Sequence, residues 1–229
     1  MRDVAFVEHV VARLSALDTC SVSDALDRLG LPGTVDGLHP CSGDGLVAGR
    51  VVTVQLGPPS PQVSSRHLCT AAVESAGATD VIVVAHQGRS DCAGWGGNLS
   101  RAARVKGIRG TIVDGAVRDA DEARAIGYPV FATGTTPRTA RGRAQEHAWN
   151  VPVRIGRDPR AVTVATGDFV IADATGVVFV GADRIEDVLA AADAIAEQEA
   201  AMAAAIDRGE PVGQVMGAAY EGMLDGSAR

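Results

Sequence analysis

Residues 80–119 read DVIVVAHQGRSDCAGWGGNLSRAARVKGIRGTIVDGAVRD, and this stretch decides the fold. It opens with a short apolar run at 80–86, and a second run follows at 110–115. Short apolar runs between glycine and polar breakers are typical of buried strands. The segment 98–107 between them has helical character and ends at Gly107. A strand, a helix and a strand in succession predict a parallel or mixed sheet covered by helices.

The same alternation extends outward from this stretch. We predict further strands at 46–56 and 128–133, and further helices at 62–77 and 118–127. Beyond residue 135 the helical segments stop, and the short strand-like runs VPVRIG, AVTVA, DFVIAD and GVVFVG follow. Several strands without helices between them predict an antiparallel layer.

The two ends of the chain are helical in pattern. Residues 1–32 predict two amphipathic helices, and residues 184–208 predict a long alanine-rich helix. The stretch 33–45 is rich in Gly, Asp and Pro and therefore predicts a loop. We expect a single α/β domain over residues 1–229, with its core at 46–183.

Composition narrows the class of protein. The chain has 229 residues, 46% of them hydrophobic, and a net charge of −7, which argues against disorder and against nonspecific nucleic-acid binding. It has no run of about 18 apolar residues, so we expect no membrane partner. The first residues lack the apolar core of a signal peptide, which favours a cytoplasmic location. The four cysteines have no metal-site spacing and are interpreted as reduced thiols.

Lys106 is the only lysine in the sequence. A Schiff-base enzyme needs a lysine that is desolvated or lies beside another cation. Lys106 falls near the end of a predicted helix, where a lysine normally faces solvent and the last carbonyls. The sequence therefore disfavours Schiff-base chemistry.

The strongest candidate site combines a glycine-rich turn with a charged pair. Gly94, Gly96 and Gly97 precede a helix, whose free N–H groups and dipole can bind a carboxylate or a phosphate. Arg118 and Asp119 follow the strand at 110–115, and offer a donor fork for a carboxylate and an oxygen ligand for Mg²⁺ or Mn²⁺.

Each part also has a plainer interpretation. Paired glycines before a helix are often only a tight turn, and an Arg-Asp pair is often a cap or a surface salt bridge. Both parts at this spacing favour a functional site. His86 lies near it, and a structural histidine is the better interpretation there.

The stretch WGGNLSRAARVKGIRGTIVDGAVRDADE at 95–122 resembles the family named after regulator of ribonuclease activity A. That family includes the 4-hydroxy-4-methyl-2-oxoglutarate aldolases, which also decarboxylate oxaloacetate. The resemblance extends to TCSVSDALDRLG at 19–30, TGDFVIADATGVVFV at 166–180 and EQEAAMAAAIDRG at 197–209.

The resemblance implies a fold and a site. The fold would be a three-layer ββα arrangement of the swivelling phosphohistidine-domain type, assembled as homotrimers or homohexamers with the site at a subunit interface. Arg118 would contact the pyruvyl group, and Asp119 would bind Mg²⁺ or Mn²⁺. Glu199 of a neighbouring subunit would complete the water shell of the metal, with Glu197 as the alternative. The substrate carboxylate would be held by the backbone amides of Gly96, Gly97, Asn98 and Leu99.

One position departs from the family pattern. Catalytic members usually carry an acidic residue where this chain has Gly97. The loss of that carboxylate would weaken the water network of the metal or change the substrate. Asp91 in the same loop could compensate, although an ordinary loop role is favoured for it.

These patterns predict a divalent-metal-dependent lyase that cleaves or decarboxylates a small 2-keto acid through a pyruvate enolate. Two alternatives stay open. The chain could be a non-catalytic, protein-binding regulator of the same family, with the basic loop of Arg138, Arg141 and Arg143 as a partner contact. A solvated loop or a subunit contact is the favoured interpretation of these arginines. The chain could also be a diverged enzyme that acts on another keto acid.

Overall fold

The computed structural model describes residues 3–43, 45–61 and 66–217. A nine-stranded sheet forms its centre, in the order β1-β11-β10-β3-β4-β5-β6-β2, with β7 also paired to β3. Its strands are β1 (Thr34–Val35), β2 (His39–Ser42), β3 (Val47–Gly57), β4 (Asp80–Arg89), β5 (Gly110–Val117), β6 (Val130–Thr135), β7 (Gln145–Trp149), β10 (Phe169–Ala172) and β11 (Val177–Val180). A separate two-stranded sheet contains β8 (Val153–Ile155) and β9 (Val162–Val164).

The middle of the main sheet is parallel. Strands β3, β4, β5 and β6 run in the same direction, with Val52 opposite Ile82 and Ile82 opposite Thr111. Helices connect these strands, which is the βαβ arrangement that residues 80–119 predict. The helices of the fold are α1 (Val4–Leu14), α2 (Thr19–Leu29), α3 (Thr70–Ser75), α4 (Gly97–Val105), α5 (Ala120–Ala125), α6 (Ile185–Asp207) and α7 (Val212–Val215).

Alternating side chains divide the molecule into layers. On β4, Ile82 and Val84 pack into the cluster that α3, α4 and α5 share with the sheet. Their neighbours Val81 and Val83 point to the opposite face, where β8 and β9 pack. Helices α1, α2 and α6 cover the β10–β11 end of the first face. Helices therefore lie on one face and the small sheet on the other, so the expectation of a mixed α/β fold is confirmed. The swivelling-domain name stays a prediction.

One prediction of irregular structure is wrong. The stretch 33–45, predicted as a loop, contains β1 and β2, and β2 forms an edge strand antiparallel to β6. Strand β7, for which no element was predicted, follows the basic loop and pairs with β3. These strands carry Pro40, Glu146 and His147, residues that single-sequence patterns associate with loops, and pairing with a neighbouring strand outweighs that tendency.

The predicted antiparallel layer is only partly right. Strands β8 and β9 do form a small antiparallel sheet. Strands β10 and β11 instead extend the main sheet, antiparallel to β3. A hairpin strand can join any free edge that matches its apolar face, and the sequence does not specify which edge.

The predicted helices are present, with shorter boundaries in several cases. The helix predicted at 62–77 is confirmed only as α3, and residues 62–65 lie outside the described part of the chain. The helix predicted at 118–127 is confirmed as α5, and the one at 184–208 as α6. Within the described ranges, no helix combines the length and the apolar character needed to cross a membrane.

Candidate functional site

The site is built where β4 and β5 end. The loop that follows β4 folds back along β5, because the Gly94 amide donates to the Ala116 carbonyl at 2.8 Å. The Arg118 amide in turn donates to the Trp95 carbonyl at 3.0 Å. These two bonds bring the start of α4 beside the residues that follow β5. Ligands of open α/β sheets commonly bind at this edge of the sheet.

The start of α4 lies so close to Arg118 and Asp119 that little room is left for a side chain at Gly96 or Gly97. A Cβ on Gly96 would lie 3.0 Å from Asp119 Oδ2 and 3.1 Å from Arg118 Cγ. A Cβ on Gly97 would lie 3.1 Å from Asp119 Cβ and would overlap the Glu122 carboxylate. The paired glycines are therefore more than a tight turn, since they let the backbone contact the charged pair.

Asp119 sits in an unusual backbone conformation. Its φ of 57° is left-handed, a region that asparagine and aspartate tolerate better than most residues. Only Arg118 and Asp119 separate β5 from α5, and this conformation makes the turn between them. Asp119 Oδ2 accepts a 3.0 Å hydrogen bond from the Gly97 amide and a 3.0 Å bond from Arg118 Nε. Local strain of this kind is concentrated at functional sites.

A cavity of about 410 Å³ opens in front of this pair. Its volume falls within the range of small-molecule sites. Trp95 forms part of its wall and is also core, since it is only 2% exposed and its indole donates to Ser100 Oγ. The cavity brings together all the residues predicted from one subunit: Gly96, Gly97, Asn98, Leu99, Arg118 and Asp119.

The first turn of α4 supplies hydrogen-bond donors to the cavity. Helix geometry leaves the amides of Asn98 and Leu99 without acceptors inside the helix. The Gly97 amide is already satisfied by Asp119. The partial positive charge of the helix start adds to that of Arg118 and favours an anionic ligand.

Glu122 is a residue that the sequence interpretation missed. It lies one helical turn beyond Asp119, and its carboxylate fills the volume beside Gly97. The available signal was the spacing itself, because residues three apart on a helix share a face. Asp91 has surroundings that agree with the favoured loop role, since it accepts two hydrogen bonds from Arg89, of 2.9 and 2.7 Å, and lies outside the cavity lining.

Apart from Arg118 and Asp119, the charged residues of the cavity lining are mostly basic. Arg141, Arg66 and His67 line the cavity together with Glu146. Burial raises the pKa of Glu146, and the hydrogen bond from the Cys69 amide and the nearby Arg66 and His67 partly offset that rise. The Cys69 amide donates to Glu146 at 2.5 Å, which ties β7 to the segment before α3.

Glu199 lies on α6 and is not part of the cavity lining of its own chain. It is half-buried, and burial together with the carboxylates of Asp24 and Asp18 raises its pKa. Glu197 is exposed on the same helix. Either residue could reach a site only in a second copy of the chain, so the predicted role of Glu199 stays a prediction.

The carboxylates near the cavity fit a hard divalent cation. Within the described ranges, no group of three or more His, Cys, Asp or Glu side chains is arranged to hold a metal. Asp119 and Glu122 nevertheless provide two carboxylate side chains beside Gly97. Mg²⁺ is commonly held by one or two carboxylates, with water and substrate completing its octahedron. Asp119 would have to exchange its contact with Arg118 for the cation.

Two other residues considered for catalysis, Lys106 and His86, have the contacts of structural residues. Lys106 Nζ contacts the Glu74 carbonyl in a groove between α3 and α4, outside the cavity lining. His86 is 1% exposed, and its Nε2 lies 2.9 Å from the Cys92 carbonyl oxygen. Burial lowers the pKa of His86. Both positions agree with the structural interpretation of these residues.

Comparison with known proteins gives a consistent family. The model of the RraA-like family, described as Aldolase/RraA, matches residues 19–179. The chain is 30% identical over 206 residues to protein DlpA of Legionella pneumophila, covering 90% of this chain but only 33% of DlpA. It is 31% identical over 180 residues to a protein of Halalkalibacterium halodurans named "Putative 4-hydroxy-4-methyl-2-oxoglutarate aldolase", covering 78% of this chain and 80% of that protein.

A solved structure has the same fold. The structure of Streptomyces coelicolor RraAS2, titled an unusual member of the RNase ES inhibitor RraA protein family, superposes with a TM-score of 0.73 at 27% identity. The match covers 83% of this chain and 93% of that one. The chain thus resembles proteins named for two different activities.

Proposed function

This chain belongs to the RraA-like (Aldolase/RraA) family, and on that premise we propose that it is a divalent-metal-dependent lyase. Its substrate would be a small 2-keto acid of the 4-hydroxy-4-methyl-2-oxoglutarate or oxaloacetate type. The reaction would release pyruvate by cleaving the bond between C3 and C4. Members named as aldolases share about 30% identity with it, so the site has to carry the argument.

One observation carries the proposal: a single cavity contains the start of α4, Arg118 and Asp119, with a second carboxylate beside Gly97. An inhibitor that acts only by protein contact needs no such convergence of an anion site and two carboxylates. The arrangement suits a ligand with a carboxylate and an adjacent keto oxygen.

The residues divide the chemistry between them. The amides of Asn98 and Leu99 would hold the C1 carboxylate, and Arg118 would donate to the keto oxygen at C2. When C3–C4 breaks, its electron pair moves to C3 and the keto oxygen gains negative charge, which Arg118 stabilises. A divalent cation held by Asp119 would act as a Lewis acid on the same oxygen. A proton added at C3 then gives pyruvate.

The other fragment balances the reaction. Oxaloacetate loses CO₂ from C4, whereas 4-hydroxy-4-methyl-2-oxoglutarate loses the proton of its C4 hydroxyl and leaves a second pyruvate. Glu122 lies beside Gly97 and would take the part of the acid that the family resemblance leads us to expect at that position. A homotrimer or homohexamer would bring Glu199 of a neighbouring subunit to the same site.

The test is pyruvate release from both substrates, measured with Mg²⁺ and with EDTA. We expect release above the background of free Mg²⁺, its loss in EDTA, and a loss of at least about a hundredfold in Asp119→Asn. Arg138→Gln, on the neighbouring basic loop but outside the cavity lining, is the matched control and should keep wild-type activity. Full activity of Asp119→Asn would reject the assignment of the metal ligand.

A second candidate function is inhibition of a ribonuclease by protein contact. The observation that favours it is the similarity in fold to RraAS2 of the RNase ES inhibitor family. Absence of pyruvate release from either substrate, together with binding of a purified ribonuclease E-type enzyme, would favour this function over the lyase.

A further inference from the structure

The basic loop between β6 and β7 does not present its three arginines equally. Arg141 lines the cavity, whereas Arg138 and Arg143 are absent from its lining. Arg143 is engaged within the loop, since its Nη1 donates to the Thr139 carbonyl at 3.3 Å. Of this triplet, Arg141 is therefore the residue that lines the same cavity as Arg118 and Asp119.

The loop is fixed to the site at both ends. The Arg138 carbonyl accepts a 3.0 Å bond from the Ala93 amide, on the segment that leads into Gly96. At the other end, Arg89 Nη1 donates to the Arg143 carbonyl at 2.8 Å. The turn between them is closed by the Arg143 amide on the Ala140 carbonyl at 2.7 Å. Arg141 is thus carried by a backbone that is anchored to the candidate site.

The other charged residues of the lining favour an anion. They are Arg141, Arg66 and His67, with one acid, Glu146, whose carboxylate accepts from the Cys69 amide. Arg66 also has Glu74 as a partner, at 3.6 Å. No ion pair of Arg141 is found within the described ranges.

We propose that Arg141 is the specificity-determining residue of this cavity, and that it binds a second carboxylate carried by the part of the substrate beyond C3. The substrate class is then a 2-keto acid whose leaving fragment keeps an acid group after cleavage. This inference rests on the proposed lyase function. It distinguishes between the two reactions considered above.

The two reactions differ in what happens to the charge of the second carboxylate. In aldol cleavage the second carboxylate stays ionised, so a guanidinium contact persists through the transition state. In decarboxylation of oxaloacetate that carboxylate becomes neutral CO₂, so the same contact stabilises the ground state more than the transition state. An arginine contact to the second carboxylate therefore assists aldol cleavage and does not assist decarboxylation.

The experiment compares kcat/KM for 4-hydroxy-4-methyl-2-oxoglutarate and for oxaloacetate in wild type, Arg141→Gln and the control Arg138→Gln. We expect Arg141→Gln to lower the value for the first substrate by about ten- to a hundredfold, mainly through KM, because a charge-assisted hydrogen bond is lost. The value for oxaloacetate should change by less than about threefold, so the ratio of the two falls. Arg141→Lys should recover part of the loss.

A second readout separates this inference from the lyase proposal. Exchange of the pyruvate methyl protons with D₂O needs only the residues that would bind the C1 carboxylate and the keto oxygen. It should therefore be unchanged in Arg141→Gln. If wild type releases no pyruvate and exchanges no protons, the lyase proposal itself fails. If wild type is active and Arg141→Gln leaves the ratio unchanged or lowers both substrates equally, the role of Arg141 is rejected.

Discussion

Glu122 fills the volume beside Gly97 that a side chain at position 97 would otherwise occupy. Relatives with an acid at that position would place a carboxylate in much the same region from α4, whereas this chain supplies it from α5. A Cβ on Gly97 would overlap the Glu122 carboxylate, so this exposed side chain would have to move if position 97 carried one. We propose that Glu122, three positions after Asp119, supplies the carboxylate that position 97 lacks.

A pair of substitutions tests this exchange. Glu122→Ala should lower kcat/KM by about tenfold or more, since residues that orient metal ligands contribute on that scale. Adding Gly97→Asp to Glu122→Ala should recover part of the activity, because the new carboxylate enters the vacated volume. Gly97→Asp alone should be less active than the double variant.

Asp121→Ala is the matched control for that pair. Asp121 is fully exposed next to Glu122, pairs with Arg124 and points away from the cavity. It should leave pyruvate release unchanged. If the double variant is no better than Glu122→Ala, the two positions are not equivalent.

Several site residues were predictable because they are local in the sequence. The glycine turn at 94–97 and the pair Arg118–Asp119 are each recognisable from a few consecutive residues. Strands β4 and β5 bring the two motifs together. Glu122 and Arg141 were not, since both depend on contacts between separate elements. An arginine in a polar loop looks the same in sequence whether it faces solvent or a cavity.

At the scale of elements, the hairpin between β10 and β11 is tied to α2 by one carboxylate. Asp173 accepts hydrogen bonds from the Thr19 amide at 2.9 Å and the Thr19 hydroxyl at 2.8 Å. It also accepts a 2.8 Å bond from the Thr175 amide within the turn. Burial alone would raise the pKa of Asp173, but these hydrogen bonds outweigh it and lower the pKa.

Asp173→Asn should therefore destabilise the fold in a pH-dependent way. At pH 7 we expect a loss of about 1–3 kcal/mol in the free energy of unfolding, measured in urea. A carboxylate with a lowered pKa stabilises the folded state above its unfolded pKa of about 3.9, and that stabilisation is lost as the pH falls through the folded pKa.

The difference between wild type and Asp173→Asn should thus shrink below about pH 4. Asp207→Asn, an exposed carboxylate near the end of α6, is the control and should be neutral at every pH. A difference in unfolding free energy that is constant from pH 7 to pH 3 would show that the charge of Asp173 does not contribute.

Element boundaries show where sequence patterns succeed. The apolar runs of β4 and β5 and the alanine-rich α6 were predictable, because burial on both faces of a strand or along one side of a long helix leaves a strong pattern. Strands β2 and β7 were not, since each pairs at an edge or over a few residues and carries polar side chains. Their pairing partners, β6 and β3, decide their structure.

At the scale of the whole molecule, the site of one chain contains two carboxylates next to the cavity, and Glu199 lies elsewhere on α6. A shared site would therefore need α6 of another copy. The prediction is that Asp119→Asn and Glu199→Gln are each impaired alone. Mixed oligomers should regain activity, because some interfaces then combine an intact Asp119 with an intact Glu199.

Subunit exchange has to be verified by native mass spectrometry before the mixture is assayed. The mixture should release pyruvate faster than the sum of the two separate variants. No gain despite verified exchange, or a fully active Glu199→Gln variant, would contradict a site completed by Glu199 of a neighbouring subunit.

The most direct test of the metal-dependent lyase is proton exchange at the methyl group of pyruvate, followed by NMR in D₂O. The account predicts exchange with Mg²⁺ or Mn²⁺ and none above background with EDTA. The Asp119→Asn variant should unfold at the wild-type temperature, and its exchange rate should be at least about a hundredfold lower. Exchange that persists at the wild-type rate in EDTA, or in Asp119→Asn, would contradict it.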